Sequence, residues 1–293
     1  MSKKSPWTAV ESRYLVPDDG RFRIEDAPTE PEKRLDKDEL KAKLEQRVDG
    51  VRQLQKRLYA DDSYSVLFVF QAMDAAGKDG TIRAVFTGVN PAGFQVFSFK
   101  VPSHEEVDHD FLWRIAERLP ERGRIGVFNR SHYEEVIITR VHPEILENQR
   151  LPRLDEKHVW EERFDSIRGF ERHLAQNGTI IVKFFLNVSL EQQKRRLLRR
   201  IDDPSRNWKF NVSDIDEREL WPDYMKAYEE AINETSKSWA PWYVIPADDK
   251  PYMRAEVAKI IKKTLESLNL EYPTIDDEAR ASLAACRVRL EEQ

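Results

Sequence analysis

A chain of 293 residues that is 40% hydrophobic is long enough to bury a core as one large domain or two small ones, which excludes global disorder. Its 48 basic and 53 acidic side chains leave a net charge of −5, so no overall positive field draws it onto nucleic acid or anionic lipid, and a polyanion must be caught locally. The single cysteine, Cys286, excludes an internal disulfide and a cysteine-based zinc site. With a polar N-terminus and no run near the ~20 apolar residues of a membrane span, the chain reads as soluble, unexported and cytoplasmic.

Residues 1–35, rich in Pro, Asp, Glu and Arg without periodicity, read as an irregular arm laid over the domain or partly disordered. Leu40, Leu44, Val48, Val51, Leu54 and Leu58 fall at helical spacing and predict an amphipathic helix over 38–58. The run Val66-Leu67-Phe68-Val69-Phe70 is too short for a helix and apolar throughout, as in a parallel strand covered on both faces. Further strands are predicted over 94–99, 125–128, 180–186 and 242–245, with helical patterns over 82–86, 111–119, 159–174, 190–201 and 215–239. Two more helices follow Pro251, the last with Asp276, Asp277 and Glu278 near its start, where the macrodipole favours negative charge. Strands alternating with helices imply right-handed βαβ units in a doubly wound parallel sheet, with ligands at the carboxyl ends of the strands.

Directly after the first strand stand Asp74, Ala75, Ala76, Gly77, Lys78, Asp79, Gly80 and Thr81, then a helical pattern. The order strand, loop, Gly-Lys, helix is that of a phosphate-binding loop, whose amides cradle phosphates while the lysine neutralises them. Gly77, Lys78, Gly80 and Thr81 are the phosphate-binding positions. Two residues depart from the usual pattern: Ala72 replaces the first glycine, and Asp79 replaces the metal-binding hydroxyl. The alternative is a plain turn opening a helix. Asp74 and Asp79 would repel a polyanion unless cations intervene, so a divalent metal is implied, and Mg²⁺ suits one or two carboxylates completed by water and phosphate oxygens.

Asn129, Arg130 and Glu134 follow the strand over 125–128, again at the rim where ligands bind. Arg130 suits bidentate pairing with an acceptor phosphate, and Glu134 suits holding metal or orienting Arg130. Alternatively, Asn129 and Ser131 cap the next helix while Arg130 makes a surface pair. His132 receives no catalytic role, since a phosphate acceptor is already anionic and needs no base. Ser189 to Gln192 has the form of a capping box. The helix after it carries Arg195, Arg196, Arg199 and Arg200 four apart on shared faces, with Arg206 and Lys209 beyond. An anion-binding lid and a solvated basic face are the two readings, and the scarcity of interleaved acids favours the lid. Trp208, between Arg206 and Lys209, is the one aromatic singled out for substrate contact.

Four motifs in order, Asp74 to Thr81, Phe128 to Glu134, Asn207-Trp208-Lys209-Phe210 and Ala240-Pro241-Trp242-Tyr243, resemble the polyphosphate kinase 2 family over about residues 36–270. The resemblance implies a three-layer α/β P-loop kinase fold, thymidylate-kinase-like, with a central parallel sheet. It implies an arm over 1–35, a core over 36–270 containing a lid at about 195–235, and a helical tail over 271–293. It implies Mg²⁺-dependent phosphoryl transfer from inorganic polyphosphate to AMP, ADP or their guanine counterparts, and a homo-oligomer. Asp74 and Asp79 would act at metal and phosphates, Lys78 on the transferring group and Arg130 on nucleotide phosphate, while Arg199, Arg200 and Arg206 would belong to the lid. His132 to Val136 resembles the subgroup acting on both AMP and ADP. An NTP-dependent nucleoside monophosphate kinase and a non-catalytic sensor of polyphosphate or nucleotide are the competing readings.

Overall fold

Four of the five strands form from apolar runs covered on both sides, and a strand so covered needs no polar face; the fifth, over 94–98, is an edge strand with three of its five residues exposed. The computed structural model describes residues 7–155 and 157–293; the first six residues of the expected arm lie outside them. In chain order come α1 (Lys37–Asp61), β1 (Ser65–Gln71), α2 (Lys78–Val85), β2 (Phe94–Ser98), α3 (His104–Val107) and α4 (Trp113–Ala116). Next are β3 (Ile125–Asn129), α5 (Glu134–Val141), α6 (Glu144–Asn148), α7 (Val159–Gln176), β4 (Thr179–Asn187) and α8 (Leu190–Asp202). The chain continues with α9 (Ser213–Glu219), α10 (Trp221–Thr235), β5 (Trp242–Pro246), α11 (Lys250–Glu266) and α12 (Asp277–Glu291).

The sheet is wholly parallel in the order β2-β3-β1-β4-β5, the doubly wound parallel arrangement that the alternation implied and the three-layer α/β fold that the resemblance implied. Helices α1, α2 and α11 pack together on one side, and α5, α7 and α10 on the other. Every residue of β1, β4 and β5 is buried. Because β1 lies between β3 and β4, its carboxyl end is the point where strand order reverses, the crevice in which such sheets hold ligands. Phe70 of β1 is in register with Asn129 of β3, so the loop after β1 and the turn after β3 leave the sheet side by side.

The arm lies over the domain. Leu15 bridges Tyr243 antiparallel, with Val16 N–H donating to the Trp242 carbonyl and Val244 N–H to that of Tyr14, each at 2.9 Å. The open edge of β5 is thereby covered. Farther along, Asn187 donates to the Ala27 carbonyl at 3.1 Å, and Asp248 N–H donates to that of Thr29 at 2.9 Å.

Three local expectations are revised. The pattern over 215–239 is two helices, since Pro222 lacks an N–H and starts α10 afresh after Leu220. Helix α10 buries Tyr224, Ala227, Tyr228, Ala231 and Ile232, so the part standing off the core is the stretch around the end of α8 and α9. The segment 111–119 forms only the four-residue α4 among turns. Ser189 does accept from Gln192 N–H, but the reciprocal half of the capping box is absent. Asp248 takes the Ser189 N–H at 2.8 Å and its carbonyl takes the Gln192 amide at 2.9 Å.

Candidate active site

The loop after β1 reverses through Ala75 (φ 62°) and Gly77 (φ 110°). Gly77 is the N-cap of α2 in the left-handed region, where a side chain is strained whatever the space around it. Ala72, standing where a glycine was expected, is buried. Lys78 is buried at 8% exposure and donates to the Ala72 carbonyl at 2.5 Å. Burial, then the nearby Arg130, lower its pKa against the pull of Asp74, Glu134 and Asp79. Asp74 feels burial pushing its carboxyl up, but Lys78 and Arg130 outweigh this and hold it below the usual range. Thr81 is fully buried and turns its hydroxyl to the Gly77 carbonyl at 2.9 Å, so its side chain is spent inside α2. Gly80 lets α2 run close to α11: a Cβ there would sit 3.1 Å from Arg254 Nη2.

Arg130 begins the turn after β3 at φ 64°, a region costly for a side-chain residue and characteristic of functional turns. Its N–H donates to the Phe70 carbonyl at 3.0 Å. Its guanidinium forks between Asp74 Oδ1 at 2.8 Å and Glu134 Oε2 at 3.2 Å. Burial opposes that charge, yet Glu134 and Asp74 keep Arg130 above the usual arginine range. Burial raises the Glu134 carboxyl even beside Arg130 and Lys78. Asn129 donates to Asp79 Oδ1 at 2.7 Å, and its own amide oxygen is buried with no partner. Asp74, Lys78, Asp79, Asn129, Arg130 and Glu134, chosen on two separate motifs, are thus one cluster.

The basic helix divides its arginines. Arg196 points inward, donating to the carbonyls of Ala75 (3.1 Å), Ala76 (2.6 Å), Ala247 (2.6 Å) and Asp248 (3.0 Å), and burial pushes its pKa down to about 10. It braces the phosphate loop against the loop after β5. Arg195 pairs with Glu191, Arg200 with Asp214 and Arg206 with Asp203, while Lys209 sits over the Trp208 ring at 4.8 Å. Trp208 is 78% exposed. Arg199 is exposed. Lys250, opening α11, is pushed down to about 8 by burial and then by Arg196, Arg254, Arg199 and Arg206. This crowding of cations beside the phosphate loop is anion-seeking by simple electrostatics. Sequence reading missed Lys250, Arg254 and the inward role of Arg196. A basic pair four apart just after the last strand was the available sign for the first two.

On the other side of Arg130 a cavity of only about 30 Å³ is bounded by Met73, Asp74, Glu134, Asp214, Glu217 and Tyr224 among others. Helix α9 closes it: Asp214 holds Arg200 at 3.1 Å, and Glu217 accepts from His142 at 3.0 Å and from Tyr224 at 2.5 Å. Burial disfavours a charged His142, but Glu217 and Glu144 outweigh it and raise the pKa above the ordinary 6.5. A raised folded pKa stabilises fully below the unfolded value and loses that contribution as pH rises through the folded one. The Tm difference between pH 6 and pH 8 is therefore expected to shrink in His142→Asn. An unchanged difference would remove His142 as the α9 latch.

The family described as Polyphosphate kinase 2 (PPK2) matches residues 34–273. An "ADP-polyphosphate phosphotransferase" of Rhodopseudomonas palustris is 53% identical over 84% of this chain and 86% of its own length. An "AMP/ADP-polyphosphate phosphotransferase" of Meiothermus ruber is 44% identical over 89% of this chain and 95% of its own. A crystal structure of Polyphosphate Kinase 2 from Arthrobacter aurescens TC1 superposes with a TM-score of 0.84 at 37% identity, covering 95% of this chain and 99% of that one. A phosphate loop without its first glycine, an arginine turn beside it and matches of this extent lead to one conclusion: the chain belongs to the polyphosphate kinase 2 family.

Proposed function

We propose that this chain transfers a phosphoryl group from inorganic polyphosphate to nucleoside mono- and diphosphates, AMP to ADP and ADP to ATP, in a cytoplasmic setting. The observation that carries the reading is the fork of Arg130 between Asp74 and Glu134 next to Lys78, with a cationic bank on one side and a lidded cavity on the other. The bank suits a polymeric anion. The cavity, too small for a nucleotide as it stands, suits an acceptor admitted when α9 lifts. The names of the two relatives support ADP and AMP as acceptors, as does the His132 to Val136 segment.

Phosphoryl transfer of this kind is mainly positioning and charge stabilisation, because charge spreads over the equatorial oxygens of a loose transition state. Lys78 and the amides opening α2 face the transferring group. Arg130 orients the acceptor phosphate, giving up one carboxylate to do so. Arg199, Arg206, Lys250 and Arg254 hold the donor chain, and closure of the lid excludes water that would hydrolyse it. The carboxylates of Asp74 and Asp79 and the unpartnered amide oxygen of Asn129 are hard donors that fit Mg²⁺. When bound, that ion supplies neutralisation of phosphate charge.

The deciding assay gives purified protein Mg²⁺, long-chain polyphosphate and AMP or ADP separately, with ATP plus AMP lacking polyphosphate as the third arm. ADP and ATP are expected in the first two arms and not the third, and EDTA should abolish both. Product only in the third arm would make this an NTP-dependent kinase, and polyphosphate binding without turnover would make it a sensor. Arg199→Ala with Arg206→Ala is expected to raise KM for polyphosphate about tenfold, leaving KM for nucleotide unchanged. Equal values for donor KM in variant and parent would remove these arginines from the donor track.

A further inference from the structure

Behind the turn that presents Arg130 lies a buried ionic cluster that the transfer chemistry does not use. Lys183, at the centre of β4, is wholly buried. Its ammonium donates to Glu171 Oε2 of α7 at 2.6 Å, to Tyr133 Oη at 2.8 Å and to the Thr235 carbonyl at 2.8 Å. All three of its donors are satisfied. The other oxygen of Glu171 accepts from Tyr133 Oη at 2.8 Å and stands 3.3 Å from His132 Nε2. Lys183 also lies 5.2 Å from the Tyr133 ring centroid and 5.4 Å from that of Trp242. A charged pair in such a place is weak support for stability by itself, because apolar residues of equal volume usually serve as well. Its partners show what it joins. His132 and Tyr133 are the two residues between Arg130-Ser131 and Glu134, and Thr235 ends α10, the helix whose Tyr224 closes the cavity through Glu217.

We infer that Lys183 and Glu171 form a positioning pair that ties the Arg130 turn to α7 and to the C-terminal end of α10, fixing Arg130 and Glu134 for the acceptor. Arg130 needs such a tether. It holds a left-handed conformation without being glycine, and the surrounding structure must over-determine a conformation of that kind. Ser131 adds a second anchor, its hydroxyl accepting from the Gln71 amide at 3.2 Å. The side chains of His132 and Tyr133 then pin the turn from behind. Tyr133 Oη is the pivot, receiving from Lys183 and donating to Glu171, so the turn senses the pair through one hydroxyl. Among the described residues no hydrogen bond or ion pair joins this cluster directly to Lys78 or to the cationic bank, so its influence reaches the site through the Arg130 turn, on the acceptor side. The inference rests on the acceptor phosphate lying against Arg130.

The test is steady-state kinetics with each substrate varied in turn, for Tyr133→Phe, Lys183→Met, the double variant Lys183→Met/Glu171→Leu and Arg130→Lys. Tyr133→Phe removes a single oxygen and keeps the ring. It and Lys183→Met are expected to raise KM for nucleotide about tenfold, since displacement of a binding group by a fraction of an ångström has effects of that order, with KM for polyphosphate unchanged. A purely structural role lowers the active fraction, so kcat falls while neither KM moves. That pattern, or parallel changes in both KM values, overturns the inference. If Lys183→Met fails to fold through its stranded Glu171 charge, the double variant removes that charge, and Tyr133→Phe decides in either event. Arg130→Lys separates the two levels. A raised nucleotide KM there, with none in Tyr133→Phe, sinks the positioning pair and leaves the acceptor placement standing. No change in nucleotide KM in Arg130→Lys sinks the acceptor placement, and the pair with it.

Discussion

Lys78→Ala is expected to lower kcat by at least about a thousandfold, the order seen when one preorganised charge-stabilising donor is removed from a transition state. Lys78 is the only cationic residue in the loop between β1 and the body of α2. It is held in a buried position by the Ala72 carbonyl, so its charge is fixed at the loop before any substrate arrives. The fold should survive. Gly77 still caps α2, Thr81 still closes its first turn, and Arg196 still braces the carbonyls of Ala75 and Ala76. Circular dichroism and Tm report that survival, and initial rates of ADP and ATP formation report the loss. A folded variant with turnover near that of the parent would strip the phosphate-loop assignment from residues 72–81. Lys78→Arg should recover little, because a planar fork is a different shape from the compact ammonium the buried pocket encloses.

The second large effect is expected at Arg130. On the proposed placement of the acceptor phosphate against Arg130, Arg130→Ala should reduce kcat/KM for the nucleotide by about a thousandfold or more, since it removes a bidentate partner and frees two carboxylates to repel the acceptor. Asp74 and Glu134 both spend an oxygen on Arg130, and Glu134 already sits above its ordinary pKa through burial. The backbone adds a control. At φ 64° a glycine is relaxed where alanine is strained, so Arg130→Gly should be more stable than Arg130→Ala by about 1 kcal/mol while being equally inactive. Denaturant midpoints compare the two. An alanine variant as stable as the glycine one would mean that the turn does not hold this conformation in solution. An active glycine variant would remove the guanidinium from the mechanism.

The strands were legible because wholly buried parallel strands are written as apolar runs, and within 66–70, 180–186 and 242–245 only Lys183 departs from that pattern. The phosphate loop and the arginine turn were legible for a different reason: each follows directly on a strand, and the parallel sheet brings strand ends together. What escaped was settled by distant partners. Arg195 and Arg196 are adjacent and chemically identical, yet one pairs with Glu191 at the surface and the other goes under the loop after β5. That choice depends on the carbonyls of Ala247 and Asp248, some fifty residues away. Lys183 interrupts an apolar run and reads as a lone polar residue until α7 and α10 deliver Glu171 and Thr235 to it. Asp248 displaced half of a capping box for the same reason. Local pattern described one end of the helix, and a residue from another loop had the better-placed acceptor.

The arm across β5 makes the order of synthesis matter. Residues 14–16 are synthesised well before the residues whose backbone groups they bond, Trp242 and Val244, become available. Until then Trp7, Tyr14 and Val16, all buried in the finished protein, have no core to enter. The central strands β1, β3 and β4 precede β5 in the chain, so the edge that the arm covers is the last to be made. Contacts of such sequence separation form slowly because a long loop must close before any pairing is gained. Docking of the arm thus waits on the last strand of the sheet, and until the arm is in place the edge of β5 is open to pairing with another chain.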